Sequence, residues 1–205
     1  MVERQLRRRG IADERVLAAM GEVPRDRFVP EKERRRSYAD SALPIGSSQT
    51  ISQPWIVAAI CQALELRGTE RVLEIGTGSG YSAAVLCALA SEVLTIERHA
   101  ELAAEAEERL REVGAENVEV IVGDGSRGLP ERSPFEAIAV HATAPGPPKS
   151  LIGQLTGEGR LVAPIAARGA DTLTQYRRDG DDVMAEVIGP CRFVPLIGEE
   201  GFSDP

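Results

Sequence analysis

LEIGTGSGY, residues 73 to 81, sets three glycines directly behind a short apolar run. The run RVLEI reads as a strand and YSAAVLCALA, which follows, as a helix, so the glycines fall at a strand-to-helix turn. Glycine lets such a turn be tight and lets a ligand approach the backbone, while free N–H groups opening the helix supply donors. The spacing is Gly76, Gly78, Gly80, and the third glycine of a G-x-G-x-x-G fingerprint would have to stand where Tyr81 does. The loop is therefore not a dinucleotide fingerprint.

Downstream the same unit repeats. EVLTIE, NVEVIVG, FEAIAV and GRLVAPI are short β-branched runs, separated by helical stretches such as HAELAAEAEERLREV and PKSLIGQL. Strand alternating with helix predicts a parallel sheet with helices on both faces. DTLTQYRRDGDDVMAEVI has two alternating runs around Asp179-Gly180, a hairpin signal, and CRFVPLIG predicts one more strand, which makes the C-terminal edge antiparallel. Upstream, Asp13 is placed to cap a helix carrying Val16, Leu17 and Met20, and Pro24 closes it. Residues 36 to 53 read as ordered loop or short hairpin, and PWIVAAICQALEL as a helix with Pro54 in its first turn.

Acidic residues mark three adjacent strand ends. Glu97 closes the second strand, where a carboxylate can accept both hydroxyls of a ribose. Glu74 precedes the glycines, and a charge in a sheet centre needs a partner, either a cationic ligand or an arginine. Asp124, in VGDG, either faces an adenine amine or caps its own turn. Such a pocket is hostile to phosphate and suits S-adenosylmethionine, which carries a sulfonium and an ammonium but no phosphate. His99 and His141 are the two histidines, so a Ser-His-Asp triad or a histidine metal site would have to use them. His99 is placed to cap a helix, and His141 ends a strand near the glycine loop.

Bulk properties narrow the class. A chain of 205 residues is long enough for one domain with a substantial core. Cys61, Cys87 and Cys191 are odd in number and widely spaced, which predicts neither disulfides nor a thiolate metal site and fits a reducing cytoplasm. The charged start MVERQLRRRG and the lack of long apolar runs predict neither secretion nor a membrane span. Residues 1 to 36 carry 11 Lys or Arg against 7 Asp or Glu, a net +4, leaving −12 for the remainder of a total of −8. The basic clusters RQLRRRG and EKERRR lack interleaved aromatics on an acidic protein, so they read as solvated faces and no nucleic acid is expected.

Taken in order, ALPIGSSQTISQPWIVA, VLEIGTGSGYSAAVL, VGDG, HATAPGPP, QLTGEGRLVAPI and CRFVPLIGEEGF resemble the protein-L-isoaspartate O-methyltransferase family over nearly the whole chain. The glycine loop and acidic strand ends are general to S-adenosylmethionine methyltransferases of this fold, whereas QTISQP is particular to this family. The resemblance implies a Rossmann-like α/β fold: a mostly parallel doubly wound sheet with a helical N-terminal extension and an antiparallel C-terminal edge. It implies one domain over 1–205, with an extension at 1–53, a cofactor-binding core at 54–165 and a C-terminal hairpin and strand at 166–205. The implied activity is methylation, by S-adenosylmethionine, of the free α-carboxylate of L-isoaspartyl residues in damaged proteins and peptides, which starts their repair through a succinimide.

By the same resemblance Ser52 lies beside the reacting carboxylate. Glu74, Gly76, Gly78, Ser79, Gly80, Glu97, Arg98, Asp124 and Gly125 take the cofactor; Thr50, Ile51, Ser52, Val194 and Leu196 take the substrate. Read alone, Thr50 and Ser52 would be caps before Pro54. The chain departs from the family pattern at Ser48, Trp55, Glu136 and His141, which bears on peptide preference and turnover. A cytoplasmic monomer needing no metal is expected. Two other readings stay open: the same fold acting on another carboxylate acceptor, and a non-enzymatic S-adenosylmethionine-binding module.

Overall fold

A computed structural model of the chain describes residues 1–204. In chain order the helices are α1 (Glu14–Glu22), α2 (Pro54–Leu64), α3 (Tyr81–Cys87), α4 (Ala100–Glu112) and α5 (Lys149–Gly153). The strands are β1 (Leu43–Gly46), β2 (Gln49–Ile51), β3 (Arg71–Ile75), β4 (Glu92–Glu97), β5 (Val118–Val122), β6 (Phe135–Val140), β7 (Leu155–Ile165), β8 (Asp171–Asp179) and β9 (Asp182–Cys191).

One seven-stranded sheet runs in the order β5-β4-β3-β6-β7-β8-β9. β5, β4, β3, β6 and β7 are parallel neighbours, and β8 and β9 join antiparallel. The chain steps outward from β3 to β4 and β5, then returns to β6 on the opposite side of β3. The crevice at such a reversal lies beyond the C-terminal ends of β3 and β6, where open α/β sheets bind ligands.

Strand alternation divides the core in two. Val72, Val93, Ala137, Ala139 and Val162 pack toward α1 to α4, against Leu17, Ile60, Val85 and Leu102. Leu73, Ile75, Leu94, Ile96, Ile138 and Leu161 pack on the other face with Leu151 of α5 and Leu196. Each fully buried aliphatic side chain contributes about 1.5–3 kcal/mol, much of it offset by lost conformational entropy. Local signals set the helix starts: the Asp13 carboxylate accepts the N–H groups of Arg15 (2.8 Å) and Val16 (3.3 Å), and Pro54 opens α2. No helix among the described residues is long and apolar enough to cross a membrane.

Two expectations change. β9 runs through Cys191, and the strand expected from CRFVPLIG does not form. Its residues bridge the loop after β6 and their own downstream turn instead: Thr143 N–H donates to the Val194 carbonyl (2.8 Å), Leu196 N–H to the Thr143 carbonyl (2.8 Å), and Ile197 pairs with Phe202. Pro195 has no N–H to extend the ladder, and the segment crosses the crevice instead. β7 also starts at Leu155 rather than Gly159, because a bulge lets Leu155 pair with Phe135 and Arg160 with Ala137.

β1 and β2 form the hairpin that the sequence allowed, and its tip holds Ser47 at φ 45° and Ser48 at φ 56°. Both lie in the left-handed region, where a Cβ crowds the carbonyl. Ser48→Gly should therefore raise stability by up to about 1 kcal/mol, the strain relieved less the entropy glycine loses on folding. A thermal melt with an unchanged or lower midpoint would contradict this.

Candidate functional site

The glycine loop is the hinge of the crevice. Gly76 has φ 92°, and a Cβ there would stand 3.5 Å from the His141 side chain. Gly80, at φ 90°, directly precedes α3, and its Cβ would lie 3.3 Å from Ala106 of α4. Between them, Gly78 N–H donates to one Glu97 oxygen (2.9 Å) while the other accepts His99 N–H (3.0 Å). Glu97 is 5% exposed. A carboxylate has about four lone-pair sites, so two backbone bonds fix this group and leave acceptor capacity for a ligand.

A cavity of about 330 Å³ opens here. Its walls are residues 48–52, the ends of β3 and β4 with their loops, Gly125, His141, Ala142, residues 194–197 and Asp204. Of the residues proposed from sequence, Gly76, Gly78, Ser79, Glu97, Arg98, Gly125, Thr50, Ile51, Ser52, Val194 and Leu196 all line it. Thr50–Ser52 come from the N-terminal hairpin and Val194–Leu196 from the C-terminal segment, so chain ends distant in sequence share one cavity.

Glu74, Gly80 and Asp124 are not in its wall. Glu74 is fully buried beneath the glycine loop, facing neither an arginine nor the open cavity. Thr95 donates to its Oε2 (2.6 Å), and since that uses the one Thr95 proton, Thr77 donates to Thr95 in turn (2.6 Å). Asp124 takes the turn-capping role. Its oxygens accept Ser126 N–H (2.8 Å) and Glu199 N–H (2.7 Å), tying the C-terminal segment to the end of β5. A Cβ on Gly198 would meet the same carboxylate at 2.0 Å, so only glycine allows this approach.

Burial pushes the Asp124 carboxyl upward, but the Glu199 and Ser126 donors outweigh it and hold it below the ordinary carboxylate range. A folded value below the unfolded one means the clamp contributes above pH about 3.9 and is lost as pH falls through the folded value. Hydrogen exchange at Glu199 N–H should be slow near neutrality in the wild type and fast in Asp124→Ala. Equal protection in both would remove the clamp.

Several site residues carry no visible sequence signal. Arg25 is fully buried: its Nε donates to the Ser37 carbonyl (2.7 Å), one terminal nitrogen to the Ser52 carbonyl (2.6 Å), and its guanidinium lies 4.7 Å from the Tyr81 ring centre. It fixes the Thr50–Ser52 segment against α3. Asp204 pairs with Arg98 (2.9 Å) at one end of the cavity, and Ser82 Oγ lies 2.7 Å from His141 Nε2. Of the four departures, Ser48 and His141 line the cavity, while Trp55 and Glu136 do not. The Trp55 indole donates to the Arg9 carbonyl (3.2 Å), and Glu136 accepts Arg71 N–H (2.8 Å) at the start of β3.

The model of one protein family, described as protein-L-isoaspartate(D-aspartate) O-methyltransferase, matches residues 1–201. A protein-L-isoaspartate O-methyltransferase of Roseiflexus castenholzii is 53% identical over 196 residues, 96% of this chain and 90% of the relative. One from Methanoregula boonei is 50% identical over 204 residues, covering 100% of this chain and 94% of the relative. A solved protein-L-isoaspartate O-methyltransferase superposes with a TM-score of 0.87 at 27% identity, over 98% of this chain and 67% of that one. A second structure, a putative family member from Plasmodium falciparum in complex with S-adenosyl-L-homocysteine, gives a TM-score of 0.82 at 23% identity, over 96% of each chain, and supports the fold.

Proposed function

Because the chain belongs to the protein-L-isoaspartate(D-aspartate) O-methyltransferase family, we propose that this cavity brings S-adenosylmethionine to the free α-carboxylate of an L-isoaspartyl residue, with Ser52 positioning that carboxylate. The methyl donor of the enzyme is S-adenosylmethionine. The residues present fit that group. The cavity wall offers a fixed carboxylate with spare lone pairs, Glu97, and its arginine, Arg98, is already occupied by Asp204. Such a wall suits ribose hydroxyls and a cation and repels phosphate. When bound, S-adenosylmethionine supplies an electrophilic methyl group on a sulfonium.

What remains for the protein is alignment. A peptide carboxylate is already ionised at neutral pH, so no strong general base is required. The observation that carries the reading is the placement of Ser52 in the same cavity as Glu97 and the glycine loop. Its hydroxyl has no hydrogen-bond partner among the described residues, while its carbonyl is anchored by Arg25. A free donor on a fixed backbone can orient an anion at near-attack distance without forming a covalent bond.

In this reading Gly76, Gly78, Ser79, Glu97, Arg98 and Gly125 contact the cofactor, Asp124 reaches it from the adjoining recess that shares Arg98, Ile197 and Asp204 with the cavity, and Glu74 and Gly80 support them from behind. Thr50, Ile51 and Ser52 face Val194 and Leu196 across the substrate side. The chain acts as one domain and as a cytoplasmic monomer on isoaspartyl proteins and peptides, without nucleic acid, membrane or metal. Methylation turns the carboxylate into an ester, the following backbone nitrogen displaces methanol, and the succinimide reopens partly to normal aspartate. Mass mapping of the ester on an isoaspartyl peptide tests the assignment: the α-carboxylate should carry it and methanol should be released on standing. A stable ester on another carboxylate would favour a different acceptor.

A further inference from the structure

An acceptor carboxylate finds no free lysine or arginine in the cavity wall. Among the described residues that wall carries two carboxylates, Glu97 and Asp204, and one arginine, Arg98, which Asp204 already holds at 2.9 Å. Glu74 adds a buried carboxylate beneath the glycine loop. The two histidines of the wall stand beside other carboxylates: His141 lies 3.3 Å from Glu74, and the His99 backbone N–H donates to Glu97 (3.0 Å). The chain beyond residue 36 is acidic as well, the total of −8 less the +4 before it leaving −12. An incoming anion therefore meets like charge in a poorly solvated site, where repulsion is strong.

Directly behind the wall stands a cation with the opposite need. Arg25 is fully buried, and no carboxylate pairs with it among the described residues. Its neighbour in sequence, Asp26, accepts the Tyr38 hydroxyl instead (2.8 Å). The Arg25 donors reach only the carbonyls of Ser37 (2.7 Å) and Ser52 (2.6 Å), and its second terminal nitrogen has no acceptor among the described residues. On one side the Tyr81 ring centre is 4.7 Å away, with Phe28 edge-on to that ring at 5.7 Å. Burial pushes its pKa down, opposed by Tyr81 and Tyr38, but a guanidinium keeps its proton at neutral pH. A buried charge without a counter-ion is costly. Ser52 and Tyr81 are themselves wall residues, so this cation sits one residue away from the cavity.

We propose that Arg25 is the counter-charge of the acceptor carboxylate, acting through the wall made by Ser52 and Tyr81 and selecting an ionised acceptor over a neutral one. It is a specificity-determining residue that stays outside the wall. The proposal rests on the methyltransferase reading and gives that site two poles, negative around the cofactor and positive behind the acceptor. Methyl transfer removes the charge of both reactants: the carboxylate oxygen bonds the methyl carbon, the sulfur keeps the pair from the broken bond, and ester and thioether are neutral. Arg25 therefore favours substrate over product. Because it stabilises the ground-state anion, its charge acts on KM, while its hold on the Ser52 backbone acts on kcat.

Calorimetry at saturating S-adenosylhomocysteine tests it, with an isoaspartyl peptide compared against a twin that carries a carboxamide in place of the α-carboxylate. The wild type should bind the carboxylate peptide about tenfold more tightly, the scale of one partly screened charge. Arg25→Met should bring the ratio near one and raise KM for the carboxylate peptide by a similar factor. Arg25→Lys should keep most of the ratio while kcat falls, because an ammonium keeps the charge but cannot bridge the Ser37 and Ser52 carbonyls as a planar fork does. Ser52→Ala, which leaves the cation in place, should retain a clear preference for the carboxylate, and this holds the proposal to account even if the Arg25 variants do not fold. A wild-type ratio near one, a wild-type ratio in Arg25→Met, equal loss in the Met and Lys variants, or loss of the preference in Ser52→Ala overturns the proposal. Methyl transfer by the wild type to the same peptide is measured alongside: its absence overturns the methyltransferase reading, whereas transfer with equal affinities for the twins overturns only the role of Arg25.

Discussion

Glu97→Ala should weaken S-adenosylhomocysteine binding by about 1–3 kcal/mol, the range for losing a hydrogen-bond partner of charged character, or roughly tenfold to a hundredfold in affinity. Two effects act together. The ligand loses its acceptor for the ribose, and the N–H groups of Gly78 and His99 lose the carboxylate that holds both strand-end loops in place. Glu97→Gln separates them, because an amide keeps one acceptor oxygen but sets an NH2 group against one of those backbone donors. Its affinity should fall between wild type and alanine. Unchanged affinity in the alanine variant, measured by calorimetry, would take Glu97 out of the site.

Ser52→Ala should lower kcat/KM for an isoaspartyl peptide by about a hundredfold, the cost of an acceptor misplaced by about 1 Å. Cofactor affinity should change little, because Arg25 holds the Ser52 backbone carbonyl and not its hydroxyl, so the cavity wall stays where it is. No covalent intermediate should be trapped in either protein. Wild-type rates in the variant would reduce Ser52 to a wall residue.

Much of this site was readable from residue type and order. The glycines behind RVLEI announced a tight turn at a strand end, and the sheet order then placed that turn at the reversal point. Glu97 was visible because it closes an apolar strand with a charge. What sequence withheld were partners fixed by the fold. Glu74 demanded a partner, but Thr95 and His141 become its neighbours only when β4 and β6 flank β3. Arg25 looks like any arginine of a basic N-terminal segment; its burial follows from Ser37, Ser52 and Tyr81 closing around it. CRFVPLIG has the composition of a strand, yet a strand needs a neighbouring backbone, and here the loop after β6 offers a single residue. Asp124 could be read either as a ligand contact or as a cap, and the Glu199 N–H that it also accepts lies 75 positions away.

On the function proposed above, a cavity wall made from both ends of the chain recognises the shape of an isoaspartyl backbone. Isoaspartate and aspartate share charge and composition and differ by one methylene moved from side chain to main chain, so geometry alone can separate them. The direct measurement is the initial rate of labelled methyl transfer from S-adenosylmethionine to an isoaspartyl peptide beside its normal aspartyl twin, at equal concentration. Label should appear on the isoaspartyl peptide, with only background on the twin. Equal labelling of the two would contradict it.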